Sequence, residues 1–379
     1  MRGEKKKNKI NRQQLAGVVT FLVIGICSGF FIGEYVGGLM KRGGQKGEVI
    51  WVMVFFFLSF LAAVYLQVVI HEAGHLVFGL LTGYKFLSFR IGSFLVLKEG
   101  EKLKGKRLTI TGTGGQCLMA PPPERRMPYV LYNMGGVLFN LFAGILFLIL
   151  HLVCKDIKAL AVFFLCMALV GWGYALMNGI PMRVGPVDND GRNALALGKN
   201  PKAMGGLWIQ LKVSEQIARG VRLKDMPREW FEMPAKEDMK NSMVAAVAVF
   251  ACNRLMDEQK LEEAALEIRR LLAMESAIVG VHSSLLKCDL VFCELLGENR
   301  VREIEQLMDK EQKAFMKVMH EFPGVLRTEY ALALLKEGDL EAARKKKEAF
   351  DKMAKTYPYP SDIEGERELM ALAEVKNSL

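Results

Sequence analysis

The stretch QVVIHEAGHLVFGLL, residues 67–81, places two histidines and a glutamate at the end of one of the most apolar runs in the chain. Ionisable side chains are costly in hydrocarbon and are retained there only when something pairs with them. Positions i and i+4 of a helix share one face, so His71 and His75 can offer ring nitrogens to a single zinc ion. Glu72 would lie beside that ion without being a ligand, where it can accept a proton from water and pass it to a leaving amine.

A structural cluster of hydrogen-bonded histidines is the alternative interpretation of this stretch. The chain has five histidines, and the other three, His151, His282 and His320, are scattered. Two of the five therefore fall at metal-ligand spacing on one apolar helix. This coincidence favours a metal site with Zn2+ as the cofactor.

A catalytic zinc ion usually has three protein ligands and one open position. A carboxylate that reaches membrane depth could supply the third, and the segment LMNGIPMRVGPVDNDGRNAL, residues 176–195, offers Asp188 and Asp190. Asn178 and Pro181 interrupt the helix before them. Irregular backbone at membrane depth is tolerated only where it is buried in protein or lines a wet cavity, which suits a metal site. An acidic turn at a helix end is the alternative.

Composition places part of the chain in a membrane. Of 379 residues 51% are apolar, and the mean hydropathy is +0.18. Four stretches are long enough to cross about 30 Å of hydrocarbon as helices. They are approximately residues 15–38, 49–82, 129–153 and 159–182. We therefore predict an α-helical multipass membrane protein.

The charge distribution excludes one class of partner. Residues 1–183 carry 21 Lys/Arg against 8 Asp/Glu, whereas residues 184–379 carry 30 against 33. The second half has no basic excess with which to bind phosphates, so nucleic acid is not an expected partner. The seven cysteines are scattered without a Cys-x-x-Cys pair, which indicates neither a disulfide framework nor a thiolate zinc site.

Positive charge predicts the orientation in the cell membrane. The N-terminal tail, residues 1–14, has six Lys/Arg and the 83–128 segment has nine, against three in 41–48 and two in 154–158. Cytoplasmic loops carry the excess of Lys and Arg. Both chain ends and the His71 end of the second span are therefore expected on the cytoplasmic side.

Two further regions lie outside the predicted spans. Residues 84–119 are rich in aromatic and β-branched residues on either side of KEGEKLKGKR, which predicts a membrane-associated β-hairpin between the second and third spans. Such a hairpin could present a strand edge to an extended substrate or merely cap the bundle. Residues 199–379 have helical periodicity and no further span.

The C-terminal region contains an internal repeat. Leu261, Val301 and Leu340 start similar helical segments with a period of 40 and then 39 residues. Periods of this size indicate stacked helical hairpins, and the last unit resembles a tetratricopeptide-type unit. Such arrays usually bind partners. We therefore predict a cytoplasmic all-α repeat domain at 199–379 that binds a cytoplasmic partner through residues 200–379.

The histidine helix and the broken fourth span together resemble the site-2 protease family of intramembrane zinc metalloproteases. The resemblance covers roughly residues 49–197 and rests on HEAGH at 71–75, Asn178-x-x-Pro181, Asp190-Gly191 and GGVLFN at 135–140. It implies that His71, His75 and Asp190 bind zinc and that Glu72 is the catalytic base. It also implies substrate or oxyanion contacts by Asn178 and Asn140.

One departure from the family concerns the third ligand. Eight residues separate Pro181 from Asp190, where the family usually has about four. Asp188 is nearer to that spacing but lacks the following glycine, so Asp190 is preferred and Asp188 is the reserve.

The sequence thus predicts a basic tail at 1–14, a membrane metalloprotease domain at 15–198, and the repeat domain. The expected substrate is a membrane protein or membrane-bound peptide, cleaved in or near its transmembrane segment. A non-proteolytic scaffold of the same fold, and a maturation protease for a small secreted peptide, remain as alternatives.

Overall fold

The structure is a computed structural model that describes residues 46–100, 102–109, 114–123, 127–184, 187–198 and 200–378, with scattered positions between 22 and 38. It divides into two compact units. The membrane unit combines the described residues up to Thr82 with Pro128–Leu195, and the C-terminal unit combines Gly83–Met127 with Ala196–Leu379. The β segment thus groups with the C-terminal helices, whereas the sequence placed it in a membrane domain at 15–198.

The described elements in chain order are α1 (Lys46–Leu81), β1 (Lys85–Ile91), β2 (Phe94–Glu99), β3 (Lys102–Arg107), β4 (Gly115–Ala120), α2 (Tyr129–Val153), α3 (Lys158–Gly179), β5 (Arg183–Val184), β6 (Val187–Asp188), α4 (Asp190–Leu197), α5 (Pro201–Ala218), α6 (Ser242–Asp257), α7 (Leu261–Ala273), α8 (Gly280–Leu296), α9 (Val301–Leu307), α10 (Lys310–Val318), α11 (Pro323–Ala331), α12 (Leu340–Ala354) and α13 (Pro360–Asn377). Short 3-10 turns connect α5 to α6, and a π-helical turn, Leu332–Glu337, follows α11.

Three described helices are long and apolar enough to cross a membrane: Gly47–Leu81, Tyr129–Val153 and Lys158–Gly179. They correspond to the predicted second, third and fourth spans. The first predicted span, residues 15–38, lies outside the described residues apart from scattered positions, so the count of four stays a prediction. Large apolar side chains such as Trp51 and Phe57 are exposed on the outer surface of α1, as expected of a surface that faces lipid.

Small residues let the spans approach closely. A Cβ atom on Gly135 of α2 would lie 2.6 Å from the backbone oxygen of Gly74 in α1, so the two helices touch backbone to backbone. On the other side, Ala63 of α1 packs with Val162 and Met167 of α3 in a buried apolar cluster. These contacts hold the histidine motif against α2.

The β segment forms a four-stranded antiparallel sheet with the strand order β3-β2-β1-β4. The prediction of a single hairpin was therefore wrong. Gly92, at φ +57°, makes a turn that divides YKFLSFRIGSFLVL into β1 and β2. The polar linker is not a loop either, because its second half is β3, with Lys104 opposite Leu97. In the same unit, the Trp208 indole on α5 donates a hydrogen bond to the Pro122 carbonyl just after β4 (3.2 Å).

Helices of the C-terminal unit, among them α6, α7, α8, α11 and α13, enclose a large apolar core. Helices begin at the three positions that align in the sequence: α7 at Leu261, α9 at Val301 and α12 at Leu340. The residue two positions earlier has a positive φ in every case: Gln259 at 59°, Asn299 at 53° and Gly338 at 67°. The backbone of the three turns thus recurs with the sequence period, while assignment to the tetratricopeptide class stays a prediction.

Candidate metal centre

Helix α1 places His71, Glu72 and His75 in the protein interior. Their exposed fractions are 7%, 8% and 9%. The two histidines are one turn apart, and their Nε2 atoms are 3.3 Å from each other. An i, i+4 pair on a continuous helix therefore brings two ring nitrogens to one point, as the spacing predicted.

Asp190 reaches the same point from the irregular segment that follows the end of α3. Its Oδ2 atom is 3.0 Å from His71 Nε2 and 3.4 Å from His75 Nε2. The three ligand atoms lie within 4.8 Å of one another. Asp188 is not part of this group, because its carboxylate pairs with the Arg192 guanidinium at 3.0 Å. The geometry thus favours Asp190 over the reserve ligand.

Asn189 holds the irregular segment that carries Asp190. Its side chain is buried, and its Nδ2 donates to the carbonyls of Met177 and Ile180 at the end of α3, both at 2.6 Å. Its Oδ1 accepts a hydrogen bond from the backbone N–H of Arg192 at 2.9 Å. One amide therefore ties the broken end of α3 to the first turn of α4. This satisfies backbone groups that hydrocarbon would leave unpaired.

The other ring nitrogen of each histidine faces an acceptor. His71 Nδ1 lies 2.6 Å from Asn140 Oδ1, and His75 Nδ1 lies 2.7 Å from the Tyr132 carbonyl. Asn140 is oriented in turn, because its Nδ2 is 2.7 Å from Gln67 Oε1, and the Gln67 Nε2 donates to the Met167 carbonyl at 2.8 Å. The chain of donors and acceptors requires both Nδ1 atoms to carry the proton.

The donor set fits a cation such as Zn2+. With their protons on Nδ1, both Nε2 atoms present lone pairs to each other and to the Asp190 carboxylate. The buried Asp190 Oδ2 faces both of these nitrogens, at 3.0 Å and 3.4 Å. Two imidazole nitrogens and a carboxylate oxygen that meet at one point can share a bound cation. Two imidazoles and one carboxylate are also a known ligand set of catalytic zinc.

Gly136 gives the first ligand its space. A Cβ atom on Gly136 would lie 2.5 Å from His71 Cε1 and 2.6 Å from its ring nitrogens. The imidazole therefore packs directly on the α2 backbone, one turn from the Asn140 amide that orients it. This places the GGVLFN element beside the metal ligands.

The two predicted asparagine contacts have different surroundings. Asn140 is 0% exposed, and its amide is hydrogen-bonded to His71 and Gln67. These bonds suit a residue that orients a candidate ligand, while its contact with substrate or oxyanion stays a prediction. Asn178 is partly exposed at the end of α3, where its Nδ2 donates to the Tyr174 carbonyl one turn earlier (3.0 Å).

Sequence reasoning missed Gln67 and Asn189. Gln67 carried a signal, since it is a polar residue in an apolar run four positions before His71, on the same helix face. Asn189 lies between the two candidate aspartates in the sequence. Its hydrogen-bond partners at the end of α3 and the start of α4 can be identified only from the fold.

Membrane-crossing helices that bring two histidines, a glutamate and an aspartate together define a class, membrane proteins with a buried candidate metal centre. Residues 59–330 match the sequence model of Peptidase family M50, and the chain belongs to this family, the site-2 protease family of metallopeptidases. No curated protein and no solved structure matches the chain. Family membership supports a protease function that depends on zinc.

Replacing Asn140 with alanine is expected to weaken zinc binding by about 10–100-fold, the usual effect of losing an outer-shell partner of a histidine ligand. The reason is that His71 Nδ1 loses its acceptor at 2.6 Å and the ring is free to turn. Competition with a chromogenic chelator measures the dissociation constant.

Asn133→Ala is the matched control, because this asparagine lies on the same helix but donates to the Tyr129 carbonyl at 2.8 Å, away from the two histidines. Asn140→Asp should restore much of the affinity, since a carboxylate accepts the same hydrogen bond. Equal affinities for Asn140→Ala and the control would contradict the orienting role.

Proposed function

We propose that this chain is an intramembrane zinc metalloprotease that hydrolyses a peptide bond in or near a transmembrane segment of a membrane protein or membrane-bound peptide. The observation that carries the proposal is the meeting of two imidazole nitrogens and a carboxylate, from His71, His75 and Asp190, on the helix that also buries Glu72, which is outside this group. A purely structural metal site would not need that glutamate. Membership of the family supports the same reaction.

The location of the site supports cleavage within the membrane. His71 lies ten residues before the C-terminal end of α1, which corresponds to about 15 Å of helix at 1.5 Å per residue. The ligands from α1 and Asp190 are buried against membrane-crossing helices. A peptide bond that reaches them must therefore be at membrane depth and locally unwound.

Each residue has a role in the proposed reaction. A zinc ion bound here would polarise the scissile carbonyl and lower the pKa of water. His71, His75 and Asp190 would hold it, and Asn140 and the Tyr132 carbonyl would keep both imidazoles in the required tautomer. Glu72 would accept the proton of the attacking water and return it to the leaving amine.

Two further parts of the proposal concern substrate and orientation. Asn178 at the end of α3 is the proposed polar contact to substrate or oxyanion. The excess of Lys and Arg in residues 1–14 and 83–128 supports a multipass cell-membrane protein with both chain ends in the cytoplasm. The C-terminal helices would then bind a cytoplasmic partner. Topology reporters fused to each terminus test this orientation.

Zinc content and cleavage, measured on the same detergent-purified protein, test the proposal. We expect about one zinc ion per chain. Cleavage of membrane-segment reporters should stop on removal of the metal with a chelator and return when zinc is restored. A wild-type protein that remains free of zinc after reloading, or that cleaves equally well with and without chelator, would refute the protease mechanism and leave the scaffold alternative.

A further inference from the structure

A cavity of about 200 Å³ lies in the C-terminal unit, lined by residues of α6, α8, α11 and α13. This is smaller than the roughly 300–1,000 Å³ of sites that take drug-sized ligands. Nothing in the proposed proteolysis uses it. The charged and titratable residues that line it are Arg222, Asp257, Cys288, Asp289, Arg327, Tyr357, Asp362 and Glu366.

The carboxylates of this cavity outnumber the cations available to them. Arg327 is 1% exposed and is shared, with Nη2 donating to Asp289 Oδ1 at 2.6 Å and Nη1 3.3 Å from Glu366 Oε2. Asp362 lies one helical turn before Glu366 and lines the cavity together with Tyr357. In the described part of the chain no ion pair reaches Asp362.

The second arginine is already engaged. Arg222 donates to Asp257 Oδ1 from Nη2 at 2.6 Å, and the same nitrogen is 3.0 Å from Glu368 Oε2. It therefore has two carboxylates of its own to neutralise. With Asp362 and Glu366 counted, the residues that line the cavity include more carboxylates than guanidinium groups.

The surplus of carboxylates is accompanied by raised pKa values of Asp362 and Glu366. Burial, with repulsion from Glu366 as the next cause, raises the pKa of Asp362 to about 7. Burial also raises the pKa of Glu366 to about 7, although Arg327 opposes the shift. Burial therefore leaves both carboxyl groups partly protonated at neutral pH, and Arg327 does not fully offset its effect at Glu366.

A second feature of the cavity indicates a missing partner. Ser361 is 4% exposed and lines the cavity, and its hydroxyl has no hydrogen-bond partner among the described residues. Buried polar groups are normally paired. Gly365 keeps the wall open beside the charges, since a Cβ atom there would lie 2.8 Å from Asp257 Oδ1.

The arrangement does not suit a metal ion. In the described ranges the one group of three side chains close enough to bind a metal is His71, His75 and Asp190. The cavity carboxylates are too widely spaced to surround a small ion. A larger organic cation with several N–H donors fits them better, because it can reach more than one carboxylate and the Ser361 hydroxyl together.

We propose that this cavity binds an organic cation, a guanidinium or alkylammonium group about the size of one arginine or lysine side chain, through Asp362, Glu366 and Ser361. The volume suits one such side chain, and the surplus of carboxylates supplies the charge complementarity. The site would allow the C-terminal unit to recognise a basic residue of a protein partner or a free small cation.

Calorimetric titration of the full chain in detergent with agmatine tests this site. Agmatine carries a guanidinium and an ammonium group, and butylurea is a neutral compound of similar shape. We expect agmatine to bind once per chain at pH 8 and butylurea not to bind. Glu366→Gln and Asp362→Asn should each weaken binding by about tenfold or more, as expected when one partner of a desolvated charge pair is removed.

The matched control is Glu364→Gln, an exposed glutamate on the same helix outside the cavity, which should bind agmatine like wild type. Asp362→Asn breaks no ion pair within the described residues and keeps the test valid if Glu366→Gln unfolds. Lowering the pH from 8 to 6 should weaken binding, because both acids take up protons near pH 7. Absence of agmatine binding, equal binding of butylurea, or equal affinity in all three variants would overturn the proposal.

A short peptide with one arginine distinguishes the two sources of the cation. Tighter binding of the peptide than of agmatine, lost in Asp362→Asn, would support a protein partner. Binding of agmatine without the peptide would support a free small cation. Calcium binding that depends on Asp362, with no binding of agmatine, would replace the organic cation with a metal ion and so refute the inference.

Discussion

Glu72→Gln is expected to lower the rate of peptide cleavage by about 10²–10⁴-fold while leaving the zinc content unchanged. The magnitude is that of a positioned general acid or base. Glutamine keeps the shape and burial of the side chain, which is 8% exposed, but cannot accept the proton of the attacking water. The measurement is cleavage of a membrane-segment reporter that wild type cleaves, with zinc analysis of the same preparation.

Glu48→Gln is the control for this experiment, because Glu48 lies in the first turn of the same helix and is exposed. It should cleave at the wild-type rate. Cleavage by Glu72→Gln within a few fold of wild type would remove Glu72 from the reaction. Loss of zinc along with activity would instead make Glu72 a ligand or a support of the ligands, contrary to its absence from the ligand group of His71, His75 and Asp190.

Part of the site was predictable because it depends on local geometry. The i, i+4 spacing of His71 and His75 specifies a shared helix face, and burial of that face follows from the apolar run around it. Asp190 was predictable in kind, since a helix broken by Pro181 at membrane depth requires a protein lining. Its choice over Asp188 depended on a family resemblance, and only the fold shows that Asp188 pairs with Arg192.

Other features depend on contacts between distant parts of the chain. Asn140 was expected to meet substrate, yet the register of α2 against α1 places it 2.6 Å from His71 Nδ1. That register follows from the close approach of Gly74 and Gly135, which no pattern along one helix reveals. The sheet was mispredicted for a similar reason, because a lysine-rich linker looks like a loop until Lys104 is seen opposite Leu97.

In the C-terminal unit too, some features follow from the local sequence and others depend on contacts between distant residues. The period from Leu261 to Val301 to Leu340 was readable, and the positive φ at Gln259, Asn299 and Gly338 repeats with it. The acidic cavity was not, because its carboxylates come from different helix pairs and meet only after the pairs stack. Periodicity predicts where helices begin, whereas the chemistry of the space between them depends on packing.

Asp190→Ala is expected to lower zinc affinity by more than the roughly 10–100-fold that loss of an outer-shell partner costs, because a direct ligand is removed. Asp190 Oδ2 is 3.0 Å and 3.4 Å from the two imidazole nitrogens, and alanine leaves only those two donors. Elemental analysis of the purified variant, with chelator competition for the dissociation constant, measures the effect. The double variant His71→Ala/His75→Ala should be free of zinc and sets the lower limit.

Asp188→Ala is the matched comparison, since Asp188 is two residues away, is acidic and lies on the same broken segment. Its carboxylate pairs with Arg192 at 3.0 Å, so its removal should leave near-stoichiometric zinc. Zinc lost from Asp188→Ala and kept in Asp190→Ala would reverse the assignment and require Asp188, at the end of β6, to leave Arg192 and turn toward the histidines. Zinc kept in both variants would mean that neither aspartate is the third ligand. The carboxylate nearest to the two histidines in the sequence is then Glu72. The zinc content of the two aspartate variants therefore distinguishes two kinds of site. In one the third ligand comes from the irregular segment after α3, and in the other all protein ligands come from α1.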